Sequence, residues 1–195
     1  MGGSIMENIL NEIDSKKSIW LKLLLSITRI PSPTGKEKTR ETFLKKYLNT
    51  LGFKSAKTDS IGNCVLKIDS KTKDAKTILI VAHADTACDP GDKVLVKENK
   101  RYIYAHGACD NGAGLTGVIA SLEIVKKYNL TFKNNLIIAF TVGEEGLGAK
   151  RGMKKIIKDF RKNIDAVINV EVTTLVELQI NLLDNSVQRL QLIRN

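Results

Sequence analysis

Thr77-Ile78-Leu79-Ile80-Val81-Ala82-His83-Ala84-Asp85-Thr86 decides how the rest of this 195-residue chain is read. Its first six residues are an almost unbroken apolar run, the pattern of a strand covered on both faces. Polar side chains begin where the run stops. In open α/β sheets the chemistry gathers at such strand ends, so His83 and Asp85 become the first candidate site residues. Their spacing puts both side chains on one side of an extended backbone.

Outward from this strand the pattern repeats. Leu136 to Val142 reads as a second buried strand, and Gly143-Glu144-Glu145-Gly146 follows it. Ala166 to Val170 reads as a third, ending at Glu171. Between them, Gly107-Ala108-Cys109-Asp110-Asn111 leads into a predicted helix from Asn111 to Lys127 despite Gly112, Gly114 and Gly117. Upstream, a helix over about Met6 to Thr28 is expected to bury a stripe containing Ile9, Leu10, Ile13, Trp20, Leu21 and Leu24. Pro31 and Pro33 end it in a loop. A second helix runs from about Lys36 to a glycine cap at Gly52. Phe53 to Lys57 and Cys64 to Ile68 are expected as strands, Val94 to Lys97 and Arg101 to Tyr104 as a hairpin, and Lys150 to Lys158 as a helix. The alternation predicts one α/β layer domain.

One imidazole and five acidic side chains (Asp85, Asp110, Glu144, Glu145 and Glu171) are thus expected to converge. A cluster of that kind repels itself unless a cation lies within it. His-x-Asp suits a metal-binding imidazole whose free nitrogen is oriented by a carboxylate. Asp110 could bridge two cations, although alone it reads equally as a helix N-cap. The adjacent Glu144 and Glu145 can point differently, one to an ion and the other to its bound water. Alone, each motif has an ordinary reading as a surface histidine, a cap or an acidic loop; together they read as a metal-dependent hydrolase.

Composition narrows the alternatives. The formal charge is +10, but the lysines are dispersed, aromatic residues make up only 5%, and no nucleic-acid-binding signature accompanies them. No nucleic-acid partner is expected. No apolar run is long enough to span a bilayer, and the basic start of an export signal is missing. Cys64, Cys88 and Cys109 have no paired spacing and are expected as free thiols of a cytoplasmic protein.

In order along the chain, Ile30-Pro31-Ser32-Pro33-Thr34-Gly35-Lys36-Glu37, Ala82 to Thr86, Gly107 to Asn111, Gly143 to Gly146 and Asn169-Val170-Glu171 resemble the co-catalytic zinc peptidases. That family includes peptidase T, carboxypeptidase G, aminoacylase and acetylornithine deacetylase. The resemblance runs from about Ile30 to Glu171 and leans toward the tripeptidase-like branch. It implies an α/β, three-layer zinc-exopeptidase-like domain with a mixed, mostly parallel central sheet, expected to be incomplete. It also implies an exopeptidase acting on a small peptide or an N-acylated amino acid. Zinc would be the cofactor, two ions in the complete family site, with cobalt or manganese as substitutes. The implied roles are His83 on the first metal, Asp85 orienting it, Asp110 bridging, Glu144 as general base, Glu145 on the second metal and Glu171 completing the first.

The departures are equally specific. The family supplies a further metal-binding histidine downstream, beyond a lid domain that also mediates dimerisation. This chain has two histidines, His83 and His106, and His106 stands where no ligand is expected. Val172 follows Glu171 where the family has glycine. Residues 1–171 are therefore expected to form the first segment of a catalytic domain and 172–195 a divergent tail, with the lid and dimerisation domain missing and the oligomeric state open. One zinc is expected to bind tightly and a second weakly. An inactive, metal-binding remnant of such an enzyme is the alternative reading, and a basic nucleic-acid-binding protein a remote one.

Overall fold

The computed structural model describes residues 4–92, 95–99, 102–171, 177–182 and 187–191, with side chains through Glu171. Its centre is a seven-stranded mixed sheet in the order β1-β2-β6-β3-β7-β8-β9. The strands are β1 (Lys57–Thr58), β2 (Cys64–Ile68), β3 (Thr77–His83), β6 (Asn135–Thr141), β7 (Ala166–Asn169), β8 (Glu177–Leu182) and β9 (Val187–Gln191). A separate antiparallel pair, β4 (Lys97–Glu98) and β5 (Ile103–Tyr104), stands apart from it. Parallel pairing is confined to β6-β3-β7, with antiparallel strands on both flanks. The sheet is mixed as expected, and its parallel part is the centre only.

Alternation along β3 and β6 divides the core in two. Ile78, Ile80, Ala82, Leu136, Ile138 and Phe140 face one layer together with Leu44, Leu48, Leu115 and Ile119. That layer contains α1 (Ile5–Thr28), α2 (Lys38–Thr50) and α3 (Gly114–Lys127). Leu79, Val81, Ile137 and Ala139 face the other way, onto Ile156 and its neighbours in α4 (Arg151–Phe160). Both faces of the central strands are therefore covered, which is why their sequence is apolar without alternation.

Several expectations are corrected in detail. In α1 the buried positions are Leu23, Leu25, Ile27 and Thr28, while Leu10, Ile13 and Leu21 are exposed. The first half of this helix is held instead by polar contacts: Trp20 Nε1 and Lys16 Nζ both donate to Glu123, and Tyr128 donates to the Asn8 carbonyl. Phe53 to Ala56 is a turn closing on Leu48, not a strand. Helix α3 starts at Gly114, later than expected, because Ala108–Ala113 form an irregular turn in which Asp110 and Asn111 leave helical geometry. Of the expected hairpin, Val94 and Arg101 lie outside the described residues, as do Thr173 to Leu175 of the tail.

Ile156 is the fully buried residue of α4 on its face of the sheet. Ile156→Ala should cost about 2–5 kcal/mol through lost burial and a residual cavity, measured as a lowered urea midpoint at unchanged slope.

Candidate active site

Strand register brings the candidate residues to one edge of the sheet. His83 pairs with Thr141 on β6, and Val81 with Asn169 on β7. The chain beyond each parallel strand therefore leaves the sheet at the same end. Glu144 and Glu145 follow β6, and Glu171 follows β7. Asp110 arrives from the Ala108–Ala113 turn, whose Asp110–Asn111 peptide is cis. Asn111 is buried and donates to the Val170 carbonyl at 2.8 Å, which ties that turn to the end of β7.

His83 sits at the middle of the cluster, 3% exposed. Its Nε2 lies 2.7 Å from Asp110 Oδ1 and 3.4 Å from Glu171 Oε1. Its Nδ1 lies 3.2 Å from the Asp85 carbonyl oxygen and 3.6 Å from Asp85 Oδ1. Burial alone would lower the imidazole, but the surrounding Asp85 and Glu171 carboxylates outweigh it and raise it to about 11.

Asp85 does more than face the histidine. Its carboxylate is fully buried and accepts from the Glu144 and Glu145 backbone amides at 2.9 and 3.0 Å and from the Thr34 hydroxyl at 2.9 Å. Burial would raise this acid, yet the His83 contact and these donors bring it down to about 2. Asp85 therefore anchors the turn that carries both glutamates. Glu145 itself is shifted upward, first by burial and then by the neighbouring Asp110 charge. The Lys150 ammonium lies 3.2 Å from Glu144 Oε1.

Two sets of donor atoms meet the distance required of a metal site among the described residues. His83, Asp110 and Glu171 form one and His83, Glu144 and Glu145 the other, each with its ligand atoms within 4.8 Å of one another. A further observation bears on the fit. Glu171 Oε1 is buried and accepts no hydrogen bond, with only the His83 ring nitrogen near it at 3.4 Å, and a buried carboxylate oxygen of that kind suits a cation. Imidazole nitrogen with carboxylate oxygen is a donor set that suits zinc and other divalent first-row ions. His106 is exposed and belongs to neither group. A cavity of about 660 Å³ opens beside Glu145, walled in part by Thr34, Cys88, Asp89, Leu147 and Arg151.

The sequence reading gave no role to the residues that support this cluster. Thr34, Glu37 and Asn111 stand inside the quoted motifs without an assigned part, and Arg40 and Arg151 stand in none of them. Glu37 accepts two bonds from Arg151 Nη2, both at 2.8 Å, joining the start of α2 to the start of α4. In a lysine-rich helix such polar residues look the same as a solvated face.

The model of peptidase family M28 matches residues 63–187 of the chain. Carboxypeptidase G2 from Pseudomonas sp. (strain RS-16) is 26% identical over 166 residues, which is 79% of this chain and 39% of that protein. A tripeptidase from Staphylococcus aureus aligns with a TM-score of 0.66 and 26% identity, covering 80% of this chain and 44% of that one. Human carnosine dipeptidase 1 aligns with a TM-score of 0.73 at 14% identity, covering 91% and 43%, a likeness of fold. The chain spans less than half the length of each of these relatives, and all of them are peptidases, as the motif order implied.

Because the acids around His83 lose their mutual repulsion when a cation is bound, zinc should raise the melting temperature of chelator-treated protein. At about 100 times its dissociation constant the gain should be about 2.7 kcal/mol. Coincident thermal scans with and without zinc would rule out a formed site.

Proposed function

The chain belongs to peptidase family M28, and we propose that it carries the centre of a metal-dependent hydrolase of peptide or amide bonds, with small peptides or N-acylated amino acids as substrates. The observation that carries this reading is the buried His83 enclosed by Asp110, Glu171, Glu144 and Glu145 at one sheet edge, with Glu171 Oε1 left without a hydrogen bond.

His83, Asp110 and Glu171 would hold the first zinc ion, and Asp110 with Glu145 the second. Bound there, zinc supplies a water acidified from about 15.7 toward about 7 and an electrophile for the amide carbonyl. The rest of the chemistry belongs to the chain. Glu144 takes the proton of the attacking water and returns it to the departing amine. Asp85 keeps His83 oriented and fixes the backbone from which Glu144 and Glu145 project. The 660 Å³ cavity next to Glu145 is large enough for a residue or two of substrate. Residues 1–171 would then act as the first segment of a zinc-peptidase catalytic domain.

Glu144→Gln tests the role of the base. It should lower kcat for small peptides by about 10²–10⁴-fold while zinc content by elemental analysis stays unchanged. Parallel loss of zinc and activity would make Glu144 a ligand, in keeping with its place beside His83 and Glu145. Zinc binding without turnover of any di- or tripeptide by the unaltered chain would leave it a metal-binding relative of such enzymes.

A further inference from the structure

Arg40 lies in α2, just after the Ile30–Glu37 motif and far in sequence from the acidic motifs, and it is 1% exposed. A buried guanidinium normally has a carboxylate beside it, because desolvating the charge is otherwise expensive. Among the described residues no acidic side chain forms an ion pair with it. Its contacts are to uncharged groups. Nη1 donates to the Ala84 carbonyl at 3.0 Å and to the Thr86 hydroxyl at 2.8 Å, and Nη2 donates to the Ile30 carbonyl at 2.7 Å. Burial draws the guanidinium down to about 10, opposed by the charges of Cys88 and Asp85.

Those acceptors have a position in common. Ala84 lies between His83 and Asp85, Thr86 follows Asp85, and Ile30 opens the proline loop. Ser32 Oγ also donates to the Ala84 carbonyl at 2.8 Å, the Thr86 amide donates to the Ser32 carbonyl at 2.9 Å, and Pro33 bridges to Thr86. The same loop brings Thr34 to Asp85, and Asp85 holds the Glu144 and Glu145 amides. Hydrogen bonds joined by short stretches of backbone thus run from Arg40 to the two glutamates without Arg40 touching either one.

We infer that Arg40 is a positioning residue of the candidate active site, its forked guanidinium clipping the Ile30–Thr34 loop to the His83–Thr86 strand end so that Asp85 can hold the Glu144–Glu145 turn. The inference rests on the reading of that cluster as the active site. Planar geometry is the reason for arginine here. A fork reaches carbonyls on two chain segments at once, whereas a lysine ammonium keeps the charge but acts as a single point. The charge has its own place, since it lies within range of the buried Asp85 carboxylate.

Arg40→Lys, Arg40→Met and the gentler Thr86→Val test this by two readouts. The first is backbone amide exchange by NMR. In each folded variant the Glu144 and Glu145 amides should exchange faster, by about tenfold or more for the Arg40 variants and less for Thr86→Val, while central amides of β3 and β6 keep their protection. The second is the absorption spectrum of the cobalt-substituted protein. Its bands should shift, and cobalt affinity should fall by about 10–100-fold, the usual effect of losing support behind a ligand. If the Arg40 variants do not fold, Thr86→Val decides. Unchanged Glu144 and Glu145 exchange in the folded variants would overturn the inference. If the unaltered protein shows no cobalt spectrum, the metal reading fails instead, and the amide comparison still decides Arg40.

Discussion

The buried carboxylate of Asp85 is the constraint on which the site depends. It leaves the end of β3 and accepts hydrogen bonds from the loop before α2 and from the turn after β6. An ionised acid with several donors is held much more firmly than a neutral one. Three segments far apart in sequence are thereby fixed relative to one another, and His83 is fixed with them. Without this acid the Glu144–Glu145 turn would lose the partners of its first two amides, and with them the directions of both side chains.

Much of this was legible in the sequence, for physical reasons that differ from element to element. Strands β3, β6 and β7 were readable because burial in the middle of the sheet leaves an apolar run with few alternatives. His83, Asp85, Glu144, Glu145 and Glu171 stood out because each follows such a run, and Asp110 because it lies between glycines ahead of a helix. The supporting residues were not. Arg40 and Glu37 belong to a helix already crowded with charges, and nothing in their spacing separates a buried guanidinium from a solvated one. The stripe on α1 misled because Leu10, Ile13 and Leu21 follow helical period without a surface to cover them, whereas Lys16, Trp20 and Glu123 dock the helix by polar contacts. The turn from Ala108 to Ala113 was missed because its glycines suit close helix packing and irregular backbone equally well.

Three basic side chains face the acids of the cluster. The His83 imidazole is one of them, its carboxylate neighbours favouring the charged form. Lys150 is another, at Glu144, and Arg40 a third behind Asp85. Asp110 keeps contact with solvent, its side chain 59% exposed. The acids left with least support are Glu145, shifted upward, and Glu171, with an oxygen that accepts no hydrogen bond. A divalent cation would take the position of the imidazole proton and satisfy that oxygen at once, since metal binding to a histidine requires its neutral form.

The parallel centre of the sheet is what makes such a gathering possible from a small number of local motifs. With β3 paired in parallel to both β6 and β7, all three strands finish at the same edge, and the residues after each finish converge without any long loop to guide them. Register does the rest. Side chains alternate faces along a strand, so a one-residue slip of β7 against β3 would exchange Val167 with Ile168 between the two core layers. The same slip would carry Glu171 away from His83. The apolar pattern that fills the two layers and the acidic pattern at the edge are therefore read out by a single register. Core packing on both faces supplies the precision that the site requires, which is why the acids need only lie at strand ends in sequence to lie together in space.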